Sequence, residues 1–408
     1  NTIKSAVLNI IDHWQQYLKQ RTDSSFKCPV QFPVIPLGID TNHFDTITGE
    51  QKRIEQRNAL ALEKEEIAIL FTGRLNYIAK ANPLPLMLGV EKAAVDTKTP
   101  LRLIFCGYFN DEFNEIAFKE SAAKVCNKAR VSFVRHGDTK YPDGFWAGAD
   151  IFCSLIDNVQ ESFGLTPIEA MASGLPVIVS DWDGYRDTVR DGVEGYTIPT
   201  LTPRKGLGSE LAYKYFSGQN SYGDYLGAVQ QSTSVDFKAL SVALKRLIEN
   251  PSLRLKMGAA GKERANSTYN WPIIISAYED FWLELAKRRE LDQELNPLAI
   301  GSPFHPSRPD PFDMFASFPS RQFSEKGRID LVISNWSEAI KLISLKTGYV
   351  YPESLIKLEE MPVLFDNLKR GSPILIESLI NLLPTINSTD LILTLAWLVK
   401  LGICRYYP

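Results

Sequence analysis

Two glutamates, Glu161 and Glu169, stand with seven residues between them in the segment of this 408-residue chain that offers the most chemistry. Glu161 follows a predicted strand, and the loop 162–164 leads into a predicted helix that carries Glu169. Backbone N–H groups at the start of a helix can face an anion, and carboxylates can accept hydrogen bonds from hydroxyl groups. The segment therefore suits a ligand that combines phosphate with sugar hydroxyls.

Glu169 also has a purely structural interpretation. Thr166 can cap the helix with Pro167 as its first residue, so that Glu169 completes a capping box at the third position. Gly174 would then end the helix. Local sequence alone leaves both interpretations open.

Two cations, Arg74 and Lys80, follow the first predicted strand of the central region. We expect Gly73 to end that strand. Arginine offers a planar fork to phosphate oxygens, whereas lysine offers a point charge. Both side chains should project at the carboxyl edge of a parallel sheet. The alternative is that they are ordinary surface cations.

Apolar runs alternate with helical patterns through the central region. Strands are predicted at 67–72, 101–106, 131–134, 150–155, 176–180 and 195–198, with the second ended by Gly107. Helices are predicted at 84–95, 112–127 and 166–173, and three more follow position 237. This alternation predicts an α/β fold with a Rossmann-like, doubly wound parallel sheet, which binds ligands beyond the carboxyl ends of its strands.

Five landmarks occur along the chain in a fixed order and together resemble family 4 of the retaining glycosyltransferases, which have the GT-B fold. They are Val34-Ile-Pro-Leu-Gly-Ile-Asp40 with Phe44, Gly73-Arg74 with Lys80, Glu161-x7-Glu169-Ala-Met-Ala, Asp191-Gly-x-x-Gly195, and Tyr269-Asn-Trp271. The chain departs from the family at Lys80-Ala81, where the family often has Lys-Gly. It also departs at Asp183-Gly184, where the family often has two glycines.

The resemblance implies a role for each matching residue. Arg74 and Lys80 would hold the diphosphate of a nucleoside-diphosphate sugar, Glu161 would contact the donor sugar, and Glu169 would bind the ribose. The backbone around the phosphates and sugar would come from Gly73, Ser162, Phe163, Gly164 and Leu165. The donor would be of the UDP or GDP type, with no required cofactor or metal.

The same resemblance implies a reaction and a domain order. A sugar would move with retention to a hydroxyl of a glycan or lipid-linked acceptor, in the synthesis of cell-surface polysaccharide or glycoconjugate. Residues 1–45 would be the tail of a truncated acceptor domain with the interdomain linker, and 46–295 the donor domain in the C-terminal half of the GT-B fold. Because the acceptor domain would be missing, we expect this chain alone to be inactive.

Two other functions compete with this one. A nicotinamide-dependent dehydrogenase would need a Gly-x-Gly-x-x-Gly turn after the first strand, and the sequence has none. A non-catalytic nucleotide-sugar-binding or scaffold protein would retain the same binding residues and stays open as the alternative.

Composition narrows the partners and the compartment. The 45 basic residues are balanced by 48 acidic ones, which argues against a nucleic-acid partner. The five cysteines include no Cys-x-x-Cys pair, which argues against a disulfide framework or a thiolate zinc site. No apolar run reaches the roughly 18 residues of a spanning helix. We expect a cytoplasmic protein, with peripheral attachment to the inner face of the membrane as an alternative.

The C-terminal part predicts a linker at 296–319, rich in proline and serine, and a small, mostly helical module at 320–408. Positions 373–408 follow a winged-helix-like outline of helix, turn, helix and strand. The second helix carries only Lys400, whereas a DNA-reading helix would carry several cations. The pattern therefore favours a packing or protein-contact module over DNA binding.

Overall fold

The computed structural model describes residues 1–25, 28, 30–135, 137–138, 141, 144–295, 305, 307–348 and 352–408, without the side chains of 292–295. The chain divides into two compact units, Asn1–Leu295 and Asn296–Pro408. No helix among the described residues combines the length and apolarity needed to cross a membrane.

A six-stranded, all-parallel sheet forms the centre of the first unit, in the order β3-β2-β1-β4-β5-β6. Its strands are β1 (Ile67–Leu75), β2 (Leu101–Phe109), β3 (Arg130–Arg135), β4 (Ile151–Ser154), β5 (Val177–Ser180) and β6 (Gly195–Ile198). In strand β1 the consecutive residues Ala68, Ile69 and Leu70 are fully buried, as expected of a strand covered on both faces of the sheet. The predicted Rossmann-like, doubly wound sheet is confirmed.

Twelve helices and one short strand pair accompany this sheet among the described residues of the first unit. The helices are α1 (Thr2–Thr22), α2 (Thr41–Ile47), α3 (Glu50–Ala59), α4 (Pro83–Thr97), α5 (Glu112–Val125), α6 (Leu165–Ala172), α7 (Tyr185–Thr188), α8 (Ser209–Phe216), α9 (Tyr222–Gln231), α10 (Phe237–Glu249), α11 (Pro251–Thr268) and α12 (Trp271–Leu295). The strand pair is β7 (Thr200–Leu201) with β8 (Ser234–Val235). On the sheet, α10 packs against α4 and α11 against α6.

Two predicted strand ends are wrong. β1 continues through Gly73 to Leu75, and β2 continues through Gly107 to Phe109. The two glycines stand opposite each other in the register, and a Cβ on Gly107 would lie 1.8 Å from the Gly73 carbonyl oxygen. Because neither residue has a side chain, the backbones stay close enough to remain paired, so glycine here extends the strands.

Helix α1, at the start of the chain, has no fully buried residue. Trp14 on its apolar side is 59% exposed. The described part of this unit therefore covers the helix only partly, at positions such as Val7, Ile11 and Leu18.

The second unit has an antiparallel sheet in the order β10-β9-β11 with helices around it. Its elements are α13 (Pro311–Met314), β9 (Arg328–Leu331), α14 (Trp336–Ile343), α15 (Met361–Gly371), β10 (Ile374–Leu375), α16 (Ile376–Leu382), α17 (Ser388–Lys400) and β11 (Cys404–Tyr407). The helical character expected of this region is confirmed. Strands β9 and β10 were not predicted from the sequence, and they are only four and two residues long.

Candidate functional site

The centre of the sheet contains a topological switch point. β1 and β4 are neighbours, but the chain leaves β1 towards β2 and β3 and leaves β4 towards β5 and β6. The loops that follow β1 and β4 therefore run to opposite sides and leave a crevice at the carboxyl edge. Such crevices are where doubly wound sheets bind ligands.

Lys80 and Glu161 come from these two loops and meet as an ion pair. The Lys80 ammonium donates a hydrogen bond to Glu161 Oε2, although the residues are 81 positions apart in the chain. The side chains are only 12% and 15% exposed. The structure thus brings together two residues that the sequence analysis assigned to one site.

Gly73 lies directly beneath the Lys80 side chain. A Cβ at Gly73 would be 3.2 Å from Lys80 Cε, and the backbone there has a φ of +150°. A larger residue would press on the lysine and strain the strand. Because Gly73 has no side chain, the Lys80 side chain can pass over β1 at this position and reach Glu161.

Arg74, the next residue of β1, lies at the same edge of the sheet and is exposed. It stands opposite Tyr108 of β2 in the register. It forms no ion pair with any residue that the structure describes. Its guanidinium therefore remains available to an anionic ligand.

The loop after β4 ends at Gly164, which caps the start of α6. Gly164 has a φ of +80° and is buried, and a Cβ there would lie 2.1 Å from Cε1 of Tyr185. Tyr185 is fully buried, and its hydroxyl is 3.0 Å from Ser154 Oγ in a hydrogen bond. Only glycine fits this turn, which delivers the loop to the crevice.

The predicted capping box of α6 is wrong. The helix begins at Leu165 with Gly164 as N-cap, and no side chain caps it. Thr166 is thus the second helical residue and Glu169 the fifth, too far along for the reciprocal capping contact. The left-handed turn at Gly164 starts the helix two residues earlier than the Thr-Pro pair suggested.

Glu169 is half-buried on α6. Burial raises the pKa of its carboxyl, and the charges of Lys80 and His43 oppose that rise. His43 belongs to α2, which Asp40 caps by accepting hydrogen bonds from the N–H groups of Asn42 and His43. His43 was not predicted from the sequence, although it lies between Asp40 and Phe44 of the linker motif.

Ser162 and Phe163 border a cavity of about 670 Å³ beside the crevice. The Phe163 ring meets the Tyr269 ring edge to face, with centroids 6.2 Å apart. The volume lies in the usual range for small-molecule pockets. Lys80 and Glu161 are not among its lining residues, so the cavity adjoins the ion pair without containing it.

The turn after β5 adds a third carboxylate, Asp183. The Gly184 N–H donates a hydrogen bond to the Glu161 carbonyl at 3.2 Å, which holds this turn against the loop after β4. Burial raises the pKa of Asp183 to about 6, and the charges of Glu161 and Asp187 add to the rise. The departure from paired glycines noted in the sequence therefore adds an acid next to Glu161.

Asp183→Asn is expected to stabilise the first unit at pH 7 by about 1 kcal/mol, allowing for partial exposure. A carboxyl whose pKa is raised on folding costs stability as the pH rises from its unfolded value of 3.8 to about 6. The gain should therefore be absent near pH 4 and complete above pH 6, as measured by urea unfolding. Asp181→Asn is the control, since Asp181 is exposed and accepts a hydrogen bond from Arg186 Nε at 2.9 Å. A gain that does not change with pH would contradict the assignment.

The comparisons with known proteins concern the part of the chain that holds this site. Residues 52–204 match the family model of glycosyl transferases group 1. An uncharacterized glycosyltransferase of Methanocaldococcus jannaschii is 27% identical over 187 residues, which are 46% of this chain and 46% of the relative. A phosphatidyl-myo-inositol mannosyltransferase of Mycobacterium leprae is 32% identical over 129 residues, 31% of this chain and 25% of the relative. The aligned regions thus span about half the length of one relative and a quarter of the other.

Solved structures show the same kind of likeness at lower identity. Sucrose-phosphate synthase from Thermosynechococcus elongatus is 21% identical with a TM-score of 0.43, and the match covers 67% of this chain and 56% of that one. A glycosyltransferase from Rickettsia africae is 15% identical with a TM-score of 0.45, covering 68% and 62%. These TM-scores lie below 0.5, so the assignment rests on the sequence matches, which support the GT-B glycosyltransferase superfamily. Every site residue proposed from the sequence lies within residues 52–204, the segment that matches the glycosyl transferases group 1.

Proposed function

We propose that the first unit binds a nucleoside-diphosphate sugar and is the donor-binding part of a family 4 retaining glycosyltransferase. The sugar passes to a hydroxyl of a glycan or lipid-linked acceptor in polysaccharide or glycoconjugate synthesis. The observation that carries the proposal is the meeting of Lys80 and Glu161 at the switch point of the sheet. A cation and a carboxylate are the groups needed for a diphosphate and for sugar hydroxyls, respectively.

In this proposal the Lys80–Glu161 pair is the resting arrangement of the site. An incoming diphosphate replaces Glu161 as the partner of Lys80, and Arg74 supplies a second cation from the same edge. Glu161, released from the lysine, accepts hydrogen bonds from the donor sugar. After this exchange each of the two partly buried residues still has a hydrogen-bonding partner, the diphosphate for Lys80 and the sugar hydroxyls for Glu161.

Glu169 and the loop 162–165 complete the proposed donor site. Glu169 binds the ribose hydroxyls from α6, and the backbone N–H groups of the loop lie by the phosphates or the sugar. When the bond between the anomeric carbon and the diphosphate oxygen breaks, negative charge grows on the leaving diphosphate. Arg74 and Lys80 stabilise that charge, and removing one such group typically costs about a hundredfold in rate.

Glu161→Gln is expected to raise the affinity for free nucleoside diphosphate about fivefold. The amide no longer competes with the diphosphate for Lys80, and the repulsion between carboxylate and phosphate is lost. Calorimetric titration with UDP, GDP and ADP measures the change. Glu120→Gln is the matched control, because Glu120 pairs with Lys124 on the exposed face of α5.

The outcome separates two roles of Glu161. Tighter binding of the diphosphate by Glu161→Gln supports competition for Lys80. Weaker binding, with Glu120→Gln unchanged, would show that Glu161 assists the diphosphate and would contradict the proposed exchange of partners.

A further inference from the structure

Helix α9 lies outside the family-matched segment and yet packs on the candidate site. It begins with a capping box in which the Ser221 hydroxyl accepts from the Asp224 N–H and the Asp224 carboxylate accepts from the Ser221 N–H. Only Leu226 and Gln230 of this helix are buried. The helix is thus well formed at its start and presents one polar residue, Gln230, to the interior.

Gln230 donates a short hydrogen bond to the carboxylate of Asp157, in the loop after β4. The distance from Gln230 Nε2 to Asp157 Oδ1 is 2.6 Å, and both residues are only 5% exposed. The same oxygen also accepts the backbone N–H of Asn82 at 3.2 Å. A buried carboxylate therefore links α9 to the end of the loop after β1.

Asn82 stands two residues after Lys80 and is the N-cap of α4. Its side chain accepts a hydrogen bond from the Leu84 N–H at 3.0 Å. Fixing the Asn82 backbone therefore fixes the C-terminal end of the loop that carries the lysine. The hydrogen bonds run from Gln230 through Asp157 to Asn82.

The rest of this loop is held by neighbouring amides. Asn158 Nδ2 donates to the Ile78 carbonyl at 2.6 Å, and Asn76 Oδ1 accepts the Ile78 N–H at 3.0 Å. Helix α9 also touches the loop, because a Cβ on Gly227 would lie 3.4 Å from Ile78 Cγ2. The helix therefore contacts the lysine loop both by packing and through Asp157.

Burial raises the pKa of Asp157 to about 6, and the hydrogen bonds from Gln230 and Asn82 oppose the rise. Gln230 thus helps to keep the carboxylate ionised. An ionised carboxylate is the stronger acceptor for the Asn82 N–H.

We infer that Gln230 is a positioning residue for Lys80: through Asp157 and Asn82 it holds the lysine loop in the geometry that receives a diphosphate. The choice of ligand in this inference rests on the proposed function. The hydrogen-bonded link from Gln230 through Asp157 to Asn82 does not depend on the ligand. Gln230 does not touch the ion pair and acts only through the loop.

The test compares Gln230→Met with Leu226→Ala on the full chain. Methionine has nearly the shape of glutamine but lacks the amide, so it removes the hydrogen bond to Asp157. Leu226→Ala loosens the same helix and leaves that hydrogen bond. Gln230→Met is expected to weaken nucleoside-diphosphate binding about tenfold by calorimetry. It should also speed hydrogen exchange at the Asn82 amide at least about tenfold without ligand. Leu226→Ala should lower the melting temperature and change neither quantity by more than about twofold.

A double-mutant cycle distinguishes positioning from general stability. If Gln230 acts through Lys80, Gln230→Met should change binding less than about twofold in a Lys80→Ala background. An equal loss in both backgrounds, or the same losses from Leu226→Ala, would overturn the inference. A wild-type chain that binds no nucleoside diphosphate would overturn the proposed function and the ligand role of Gln230 with it. The exchange rate at Asn82 still tests the hydrogen-bonded link in that case.

Discussion

Replacing Lys80 with alanine is expected to weaken nucleoside-diphosphate binding about a hundredfold. The substitution removes one of the two cations at the crevice and leaves Glu161, only 15% exposed, without its partner. An unpaired carboxylate at that depth repels the incoming phosphates. The loss of affinity should therefore exceed that from Arg74→Ala, because Arg74 is exposed and its removal leaves no carboxylate unpaired. Calorimetric titration of both variants measures the difference.

Two further variants control this experiment. Lys92→Ala removes a lysine on the exposed face of α4, where it pairs with Asp96 at 2.9 Å, and should leave binding unchanged. Adding Glu161→Gln to Lys80→Ala should recover about tenfold, because it removes the repulsion that the first change exposes. Binding by Lys80→Ala within about threefold of the wild type would contradict the role given to the ion pair.

Gly164→Ala is expected to destabilise the first unit by about 4 kcal/mol, the largest loss of stability that we anticipate at the site. The new Cβ would lie 2.1 Å from the ring of Tyr185, which is fully buried and hydrogen-bonded to Ser154. The ring therefore has no free direction in which to move. The left-handed backbone at Gly164 adds its own cost for a residue with a side chain.

Gly174→Ala is the matched control at the other end of α6. Gly174 has nearly the same left-handed φ, +78° against +80°, but nothing lies within 4 Å of its missing Cβ. It should therefore show only the backbone cost of about 1 kcal/mol. Urea unfolding of the two variants isolates the clash with Tyr185, and equal losses would show that the ring yields easily.

The elements that the sequence predicted well are those whose apolar residues lie in unbroken runs. The strand at 67–72 and the helix at 84–95 appear as β1 and α4, extended by a few residues at their ends. The ends were missed where glycine continues a strand, at Gly73 and Gly107. A glycine that ends a strand and one that allows two strands to approach look alike in sequence, and only the partner strand distinguishes them.

Some residues of the candidate site could be predicted from the sequence, whereas others could not. Arg74, Lys80, Glu161 and Glu169 could be proposed because each follows a strand or enters a helix in a recognisable motif. Gln230 could not, because its partner Asp157 lies 73 positions away and the helix that carries it was not predicted. His43 was missed for a related reason, since only the packing of α2 on α6 brings it near Glu169. Contacts between distant segments depend on the folded arrangement and leave no local pattern.

Calorimetric titration of the chain with UDP, GDP and ADP tests the central claim most directly, because donor binding at the crevice needs no acceptor. We predict that one of the three binds to the wild type, that the affinity falls as salt is raised, and that Lys80→Ala loses about a hundredfold. Binding of none of the three, or binding that Lys80→Ala and Arg74→Ala leave unchanged, would contradict the assignment of this crevice as a donor site.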